Sequence, residues 1–373
     1  MPWGIGLLEA MRGFSSGKRR FLMPIAILAS AKALAASFIH SSLGKGGWFW
    51  MRAWGRAGPP EGSLAYLFCG FDSGWYVDIA KNGYAYPKYV FMPAYPALIR
   101  ALGSILGDYW WAAISIAWAS SFASLPLFQA IAERYMDRVE AMWATLLMAS
   151  FPHVFAFTSL AYSEPLFLLL CLGAWLSYLR DAMPLSAAAM GMAALSRPYG
   201  VMIAIPIALD LLKKRDFGKM AWLSIPLGSL AFWGLFCHLF AGDWMATLTQ
   251  QGYWAKLGMP YGIIRTYLRG AVFGGERSQS INYYLIAFVA IMGYLAFSSA
   301  RADWRLGAFA SAGYLVLLAI GTLPSLSRFI SFLFPIWLSI RIKSPIAGAA
   351  ALAISLPFGL ALWLWFLQGS LIG

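Results

Sequence analysis

The chain has 373 residues, of which 61% are hydrophobic and 12% charged, and its mean hydropathy is +0.67. A soluble domain carries about a quarter charged residues, so the composition excludes a water-soluble protein and is that of a polytopic membrane protein. The formal net charge of +13 falls largely between apolar runs and nowhere has nucleic-acid-binding spacing, which fits positive-inside topology and argues against a nucleic-acid partner.

A helix needs about 20 apolar residues to cross the hydrocarbon core. The N-terminal stretch "GKRRFLMPIAILASAKALAASF" has the basic-then-apolar order of a signal peptide. Its basic cluster starts late, however, and Lys32 interrupts the apolar run. It is therefore expected to be an uncleaved first span, about 20–42, with a cytoplasmic N-terminus. A long outer segment follows, about 43–107. Spans are then expected at 109–131 (inward), 141–160 (outward) and 164–179 (inward).

The next stretch, 184–212, is apolar at both ends and broken at its centre by "SRPYG". Each half is short for a full span, and proline disrupts a helix, so two short helices are expected to meet there. Spans at 219–241, 281–299, 305–322, 326–341 and 346–367 complete about eleven crossings and leave the C-terminus outside. A second outer segment covers about 242–280. No polar block is large enough to fold separately, so residues 1–373 read as a single all-α integral membrane domain. Cys69, Cys171 and Cys237 have no CxxC spacing and carry no metal or redox signal; Cys69 reads as a loop thiol.

The outer segments hold most of the polar residues that topology does not explain. In "FDSGWYVDIAKNGY", Phe71 to Tyr84, a helix from about Ser73 places Trp75, Ile79 and Gly83 on one stripe, flanked by Tyr76 and Ala80. Asp78, Lys81 and Asn82 fall on other faces. In "PAYPALIRALGSIL", Tyr95, Leu98, Ile99, Leu102, Ile105 and Leu106 form a second apolar stripe. Both suit helices lying in the membrane interface. Asp72 stands at the start of the first, either as its N-cap or as a chemical group.

These two segments, with "YVFMPAYPALIRAL", resemble the pattern of the PIG-V-like (GPI mannosyltransferase II) family of the GT-C glycosyltransferase superfamily. Further likenesses follow in order: "FPHVFAFTSLAYSEPLFLLL", "MAALSRPYGVMIAIP", "GDWMATLTQQGYW" and "SLSRFISFLFPIWL", spanning about 70–340. Phe71 stands where the family usually has Trp, and Phe329 where it usually has Tyr; both keep an aromatic ring. The resemblance implies a GT-C-like fold and a mannosyltransferase using a polyprenyl- or dolichyl-phosphate mannose donor on the extracytoplasmic side. The acceptor it implies is a glycolipid or lipid-linked glycan.

On that reading Asp72 is the candidate general base of an inverting single displacement, since a shielded carboxylate can take the proton of an incoming hydroxyl. Arg197, at the helix break, and Arg328, at a span end, are candidates for the donor phosphate. An intramembrane cation is a functional hypothesis by default, and arginine forks two hydrogen bonds to phosphate. Glu164 either orients a substrate hydroxyl or pairs with an arginine. Trp75, Tyr76, Tyr95, Tyr162, Gln251 and Trp254 are candidate substrate contacts; for the aromatics an interfacial belt is the competing reading. His153 reads as a packing residue. No cofactor is required, and a divalent cation held through substrate phosphate is compatible. A monomer in the cell membrane of a prokaryote is expected, rather than an ER protein. The alternatives are a GT-C transferase for another lipid-linked sugar, a lipid or solute transporter, and a non-catalytic assembly subunit.

Overall fold

The computed structural model of the chain describes residues 19–43, 58–60, 62–253, 276–320 and 325–369, together with 265, 268–269 and 272–273. Every regular element among these is helical. In chain order the α-helices are α1 Arg19–Leu43, α2 Asp72–Asn82, α3 Ala94–Leu106, α4 Tyr109–Ala132, α5 Arg138–Ser150, α6 Pro152–Phe157, α7 Glu164–Leu179 and α8 Met183–Ser196. They continue as α9 Ala204–Lys214, α10 Phe217–Met220, α11 Ser224–Ala241, α12 Ala246–Thr249, α13 Glu276–Ser298, α14 Trp304–Ile320, α15 Leu326–Ser331 and α16 Pro345–Leu367.

Among the described residues, five stretches are long and apolar enough to cross a membrane: Arg20–Ser42, Tyr109–Ala132, Phe217–Ala241, Tyr283–Arg301 and Pro345–Leu367. The chain is thus an integral membrane protein by the length and composition of its helices. The other expected spans fall on shorter pieces. The 141–160 stretch is divided between α5 and α6, because Phe151 leaves the helical region (ψ 133) and Pro152 starts a new helix. The 326–341 stretch is α15 followed by a 3-10 turn, Phe334–Ser339.

The helices pack as two compact units. The first comprises the described parts of Met1–Gly83, Pro93–Leu176 and Ile340–Ile372. Its turns are written in the sequence "LGDYW". Gly107 (φ 72) ends α3 in the left-handed conformation that a side chain resists, and Asp108 then caps α4 by accepting the Trp110 and Trp111 amides at 2.8 and 3.1 Å. Small residues let backbones approach: a Cβ on Gly348 of α16 would lie 2.3 Å from the Trp143 ring of α5, and one on Gly359 2.9 Å from Phe155 of α6.

At the start of α5, Asp137 and Glu140 form a reciprocal capping box, and buried Glu140 also accepts Arg341 Nη1 at 3.2 Å. Because Arg341 is half exposed (45%), the charge pair itself contributes little, and the cap dominates. Glu140→Ala is expected to cost about 1–2 kcal/mol and Glu140→Gln, which keeps the cap, less than about 1 kcal/mol. Thermal melting in detergent measures the difference.

The second unit comprises the described parts of Tyr84–Met92 and Ser177–Ser339. α8 meets α11 where Gly191 faces Ile225 and Ser229. α13 meets α14 at Gly293, beside Tyr314, whose hydroxyl donates to the Val289 carbonyl at 2.9 Å. The charges that mark topology in the sequence also build contacts here. Asp210 accepts from Tyr178, from Lys214 Nζ at 2.6 Å and from Arg305 Nη1 at 3.1 Å, and Arg305 forks onto Asp303 of the "RADWR" turn.

Candidate active site

In the first unit the chain makes a tight elbow at Gly70–Phe71–Asp72–Ser73. Phe71 has φ 41 and ψ −102, a region costly for a residue with a side chain, by about 1–3 kcal/mol. The surroundings over-determine it. Ser73 Oγ accepts the Gly70 amide at 3.1 Å, and the Ser73 amide donates to the Gly70 carbonyl at 2.9 Å. The Phe71 ring meets Phe366 of α16 edge-on at 4.8 Å. Gly70 has no room for a Cβ, which would lie 2.5 Å from the same Phe366 ring.

Phe71, not Asp72, occupies the N-cap of α2. Asp72 is one residue inside, so the capping reading of its position does not hold. The residue is half-buried, on the first turn of a helix where negative charge is favoured. Its amide donates to the Tyr162 hydroxyl at 3.0 Å, and that hydroxyl donates to the Gly70 carbonyl at 3.1 Å. The "FDSG" and "AYSEP" segments, 90 residues apart, thus meet at the elbow. The Ala161 amide adds a bond to the Phe68 carbonyl at 2.7 Å.

The tyrosines expected to touch substrate lie beneath this elbow. Tyr76, Tyr95 and Tyr162 are 4%, 0% and 0% exposed. Tyr76 shares a 2.9 Å hydrogen bond with Ser163 Oγ, and the Tyr95 hydroxyl donates to the Ala113 carbonyl at 2.8 Å. The Tyr76 and Tyr95 rings meet edge-on at 5.0 Å. These contacts make the three side chains a floor for α2. Trp75 is half-buried on the same helix. Glu164 is fully buried at the first position of α7, and His153 is buried and stacked on Phe151.

Both expected helices form, and the apolar stripe of α3 is divided between two environments. Tyr95, Ile99 and Gly103 of α3 face inward, whereas Leu98, Ile105 and Leu106 are exposed, Ile105 at 81%. The apolar arc is wide enough to serve protein on one side and lipid on the other. Asp78 accepts from Asn82 Nδ2 at 2.6 Å, and Lys81 lies over the Tyr109 ring. Cys69 is buried rather than an accessible loop thiol, as are Cys171 and Cys237.

The second unit holds the two candidate arginines together. α8 stops at Ser196, where Arg197 is extended (φ −148, ψ 133) and Pro198 begins a 3-10 turn, Pro198–Ile203. A residue before proline is pushed to this region, so the sequence itself makes the break. Arg197 and Arg328 are buried, and their guanidinium carbons lie 4.7 and 4.6 Å from the centroid of one ring, Phe329. Tyr199 packs beside that ring at 6.2 Å. Phe329 supplies the cation-binding face, which an aromatic without a hydroxyl does as well as tyrosine.

In the segment that follows α11, Gly242 (φ 71) ends the helix, and Asp243 accepts Thr249 Oγ1 at 2.5 Å and the Met245 amide at 2.8 Å. The Thr249 hydroxyl first, and then the Met245 amide, hold the Asp243 carboxyl below its ordinary pKa. Gln250, not Gln251, reaches the Tyr89 amide at 3.3 Å, and Thr247 Oγ1 donates to the Tyr89 carbonyl at 2.9 Å. Gln251 is half-buried, and Trp254 lies outside the described residues. Among the described residues, no cluster of three or more His, Cys, Asp or Glu could hold a metal ion.

Sequence reasoning missed Lys32, Ser163 and Phe366. Lys32 carries a signal, a charge in the middle of a span. Ser163 lies inside the "AYSEP" segment of the resemblance, which gives it no role of its own, and Phe366 carries no signal in a chain with 26 phenylalanines.

The fold is similar to that of ArnT from Cupriavidus metallidurans bound to undecaprenyl phosphate, with a TM-score of 0.50 and 14% identity over 78% of this chain and 61% of that one. The apo state of ArnT from the same organism aligns with a TM-score of 0.49 and 14% identity, over 83% of this chain and 74% of its own. At this identity the likeness is one of fold. The chain spans 61% of the length of the ArnT chain bound to undecaprenyl phosphate. No protein-family model matches the chain. No curated protein sequence matches it either.

Proposed function

We propose that the protein is a GT-C glycosyltransferase that moves a sugar from a polyprenyl-phosphate donor to a glycolipid or lipid-linked glycan. The observation that carries this reading is the meeting of Asp72 with Tyr162. It gathers two segments of the resemblance around a half-buried aspartate on a strained, over-determined elbow. The likeness in fold to a protein that binds undecaprenyl phosphate supports the donor class, and the ordered PIG-V-like segments favour mannose.

The acceptor hydroxyl oxygen attacks the anomeric carbon, the bond from that carbon to the phosphate oxygen breaks, and the hydroxyl proton passes to Asp72. Polyprenyl phosphate leaves, and the anomeric centre inverts. Arg197 and Arg328, gathered on Phe329, make a concentration of buried positive charge suited to the phosphate. Trp75, Gln251 and Trp254 remain the proposed sugar contacts, Glu164 orients a hydroxyl or pairs with an arginine, and Tyr76, Tyr95 and Tyr162 act by supporting α2. No cofactor enters the reaction, and a divalent cation on the substrate phosphate is compatible with it. The protein acts as a monomeric integral membrane enzyme with a cytoplasmic N-terminus and chemistry on the outer face of a prokaryotic cell membrane, its residues 1–373 read as one domain.

The test is to incubate purified protein with polyprenyl-phosphate mannose and a panel of acceptor lipids and to follow hexose addition by mass. Transfer of one hexose is expected. No transfer from mannose, glucose or arabinofuranose donors, with donor lipid bound or moved intact, would replace the transferase with the transporter reading.

A further inference from the structure

Lys32 sits in the middle of the apolar helix α1 and is 0% exposed. Its Nζ donates to the Thr158 carbonyl at 2.7 Å and to Ser121 Oγ at 3.1 Å, and it lies 5.4 Å from the centroids of both Trp118 and Phe122. An amino group inside a span is costly, and its acceptor here is informative. Thr158 closes α6 and opens the buried turn that runs to Glu164. A buried irregular turn leaves carbonyls without helical partners, and those carbonyls must be met from elsewhere. Lys32 meets Thr158, and Trp118 Nε1 meets the next carbonyl, Ser159, at 2.9 Å. Four residues after Thr158, the same turn presents Tyr162, whose hydroxyl holds the Asp72 amide and the Gly70 carbonyl.

We infer that Lys32 is a positioning residue for Asp72, acting through the Thr158–Glu164 turn. This rests on the reading of Asp72 as the base; the linkage itself is a matter of hydrogen bonds in the first unit. Lys32 fixes the beginning of the turn, the turn fixes Tyr162, and Tyr162 fixes the backbone of the strained elbow. An amine is suited to this work because its long, flexible stem packs among apolar neighbours while its head offers several donors. A methionine at this position would fill the space and meet neither oxygen.

The experiment compares wild type with Lys32→Met by amide hydrogen exchange of the peptide covering Gly70–Tyr76 and by transfer kinetics. In the variant, exchange of that peptide is expected to accelerate by about fivefold or more, the effect of one lost hydrogen bond. Turnover per folded molecule is expected to fall by about tenfold or more, with the KM for donor unchanged. Tyr162→Phe should reproduce the turnover loss, and the double variant should lose no more than the worse single one. Unchanged exchange at the elbow, or a lower melting temperature with full turnover per folded molecule, overturns the proposal, as does an additive double variant. Should Lys32→Met fail to fold, Lys32→Gln keeps a polar head whose shorter stem draws it away from the Thr158 carbonyl. The elbow peptide must then exchange faster, and an unchanged rate overturns the proposal equally. The exchange measurement needs no substrate, so failure of wild type to transfer sugar removes the transferase reading while leaving the Lys32 linkage to be decided.

Discussion

Asp72→Asn is expected to lower turnover in sugar transfer by about 10²- to 10⁴-fold, the usual contribution of a general base, in a protein that melts within a few degrees of wild type. The structure separates the two effects. Asn has the shape of Asp, and the bond that ties this residue to Tyr162 comes from its backbone amide, which the substitution leaves in place. Asp72 is not the N-cap of its helix, so no cap is lost. The negative charge removed from the first helical turn contributes about 0.3–1 kcal/mol. The KM for donor should change little, because the proposed phosphate contacts are Arg197 and Arg328. Near-wild-type turnover would remove Asp72 from the chemistry. Loss of turnover together with collapse of the fold would instead make it a structural residue of the elbow.

What the sequence made legible follows from which physical rules are local. The break at "SRPYG" could be read because proline acts on its own residue and the one before it, and Arg197 is extended as that rule requires. The start of α4 at "GDYW" is equally local, a left-handed glycine followed by a capping aspartate. The division of the 141–160 stretch at Phe151–Pro152 was in plain view, yet hydropathy summed over a window passes across it. The floor beneath α2 was not legible. The sequence offers Tyr76, Tyr95 and Tyr162 as candidate substrate contacts, and nothing in their spacing shows that their hydroxyls are taken by Ser163, Ala113 and Gly70. Those pairings join residues 18 to 92 positions apart, which periodicity within one helix does not encode. Lys32 lies between the two cases. Its charge was visible as an interruption of an apolar run, but its purpose depends on a carbonyl 126 positions away.

Gly200→Ala should damage the protein more than its size suggests, and at a defined place. Gly200 donates its amide to the Arg197 carbonyl at 2.8 Å in the 3-10 turn that follows the break. A Cβ added there would lie 2.4 Å from the Ala193 carbonyl oxygen and 2.5 Å from its carbon. The obstacle is helix backbone, which cannot swing aside as a side chain tip does. The Ala193 carbonyl also accepts the Arg197 amide at 2.9 Å, so relieving the clash moves the residue proposed to hold the donor phosphate. A destabilisation of about 1–3 kcal/mol is expected from overpacking, read as a lower melting temperature in detergent, together with a higher KM for the polyprenyl-phosphate donor. Gly228→Ala in α11 is the control. No atom lies within 4 Å of its added Cβ, and alanine in a helix interior is favoured over glycine by up to about 1 kcal/mol, so that variant should be neutral or more stable. If Gly200→Ala melts like wild type and keeps its donor KM, the turn is more yielding than this packing allows, and the placement of Arg197 does not depend on it. If it melts lower with donor KM unchanged, the glycine serves packing alone and Arg197 is not a donor contact. Only the paired outcome, a lower melting temperature with weakened donor use, joins the helix break at "SRPYG" to recognition of the phosphate.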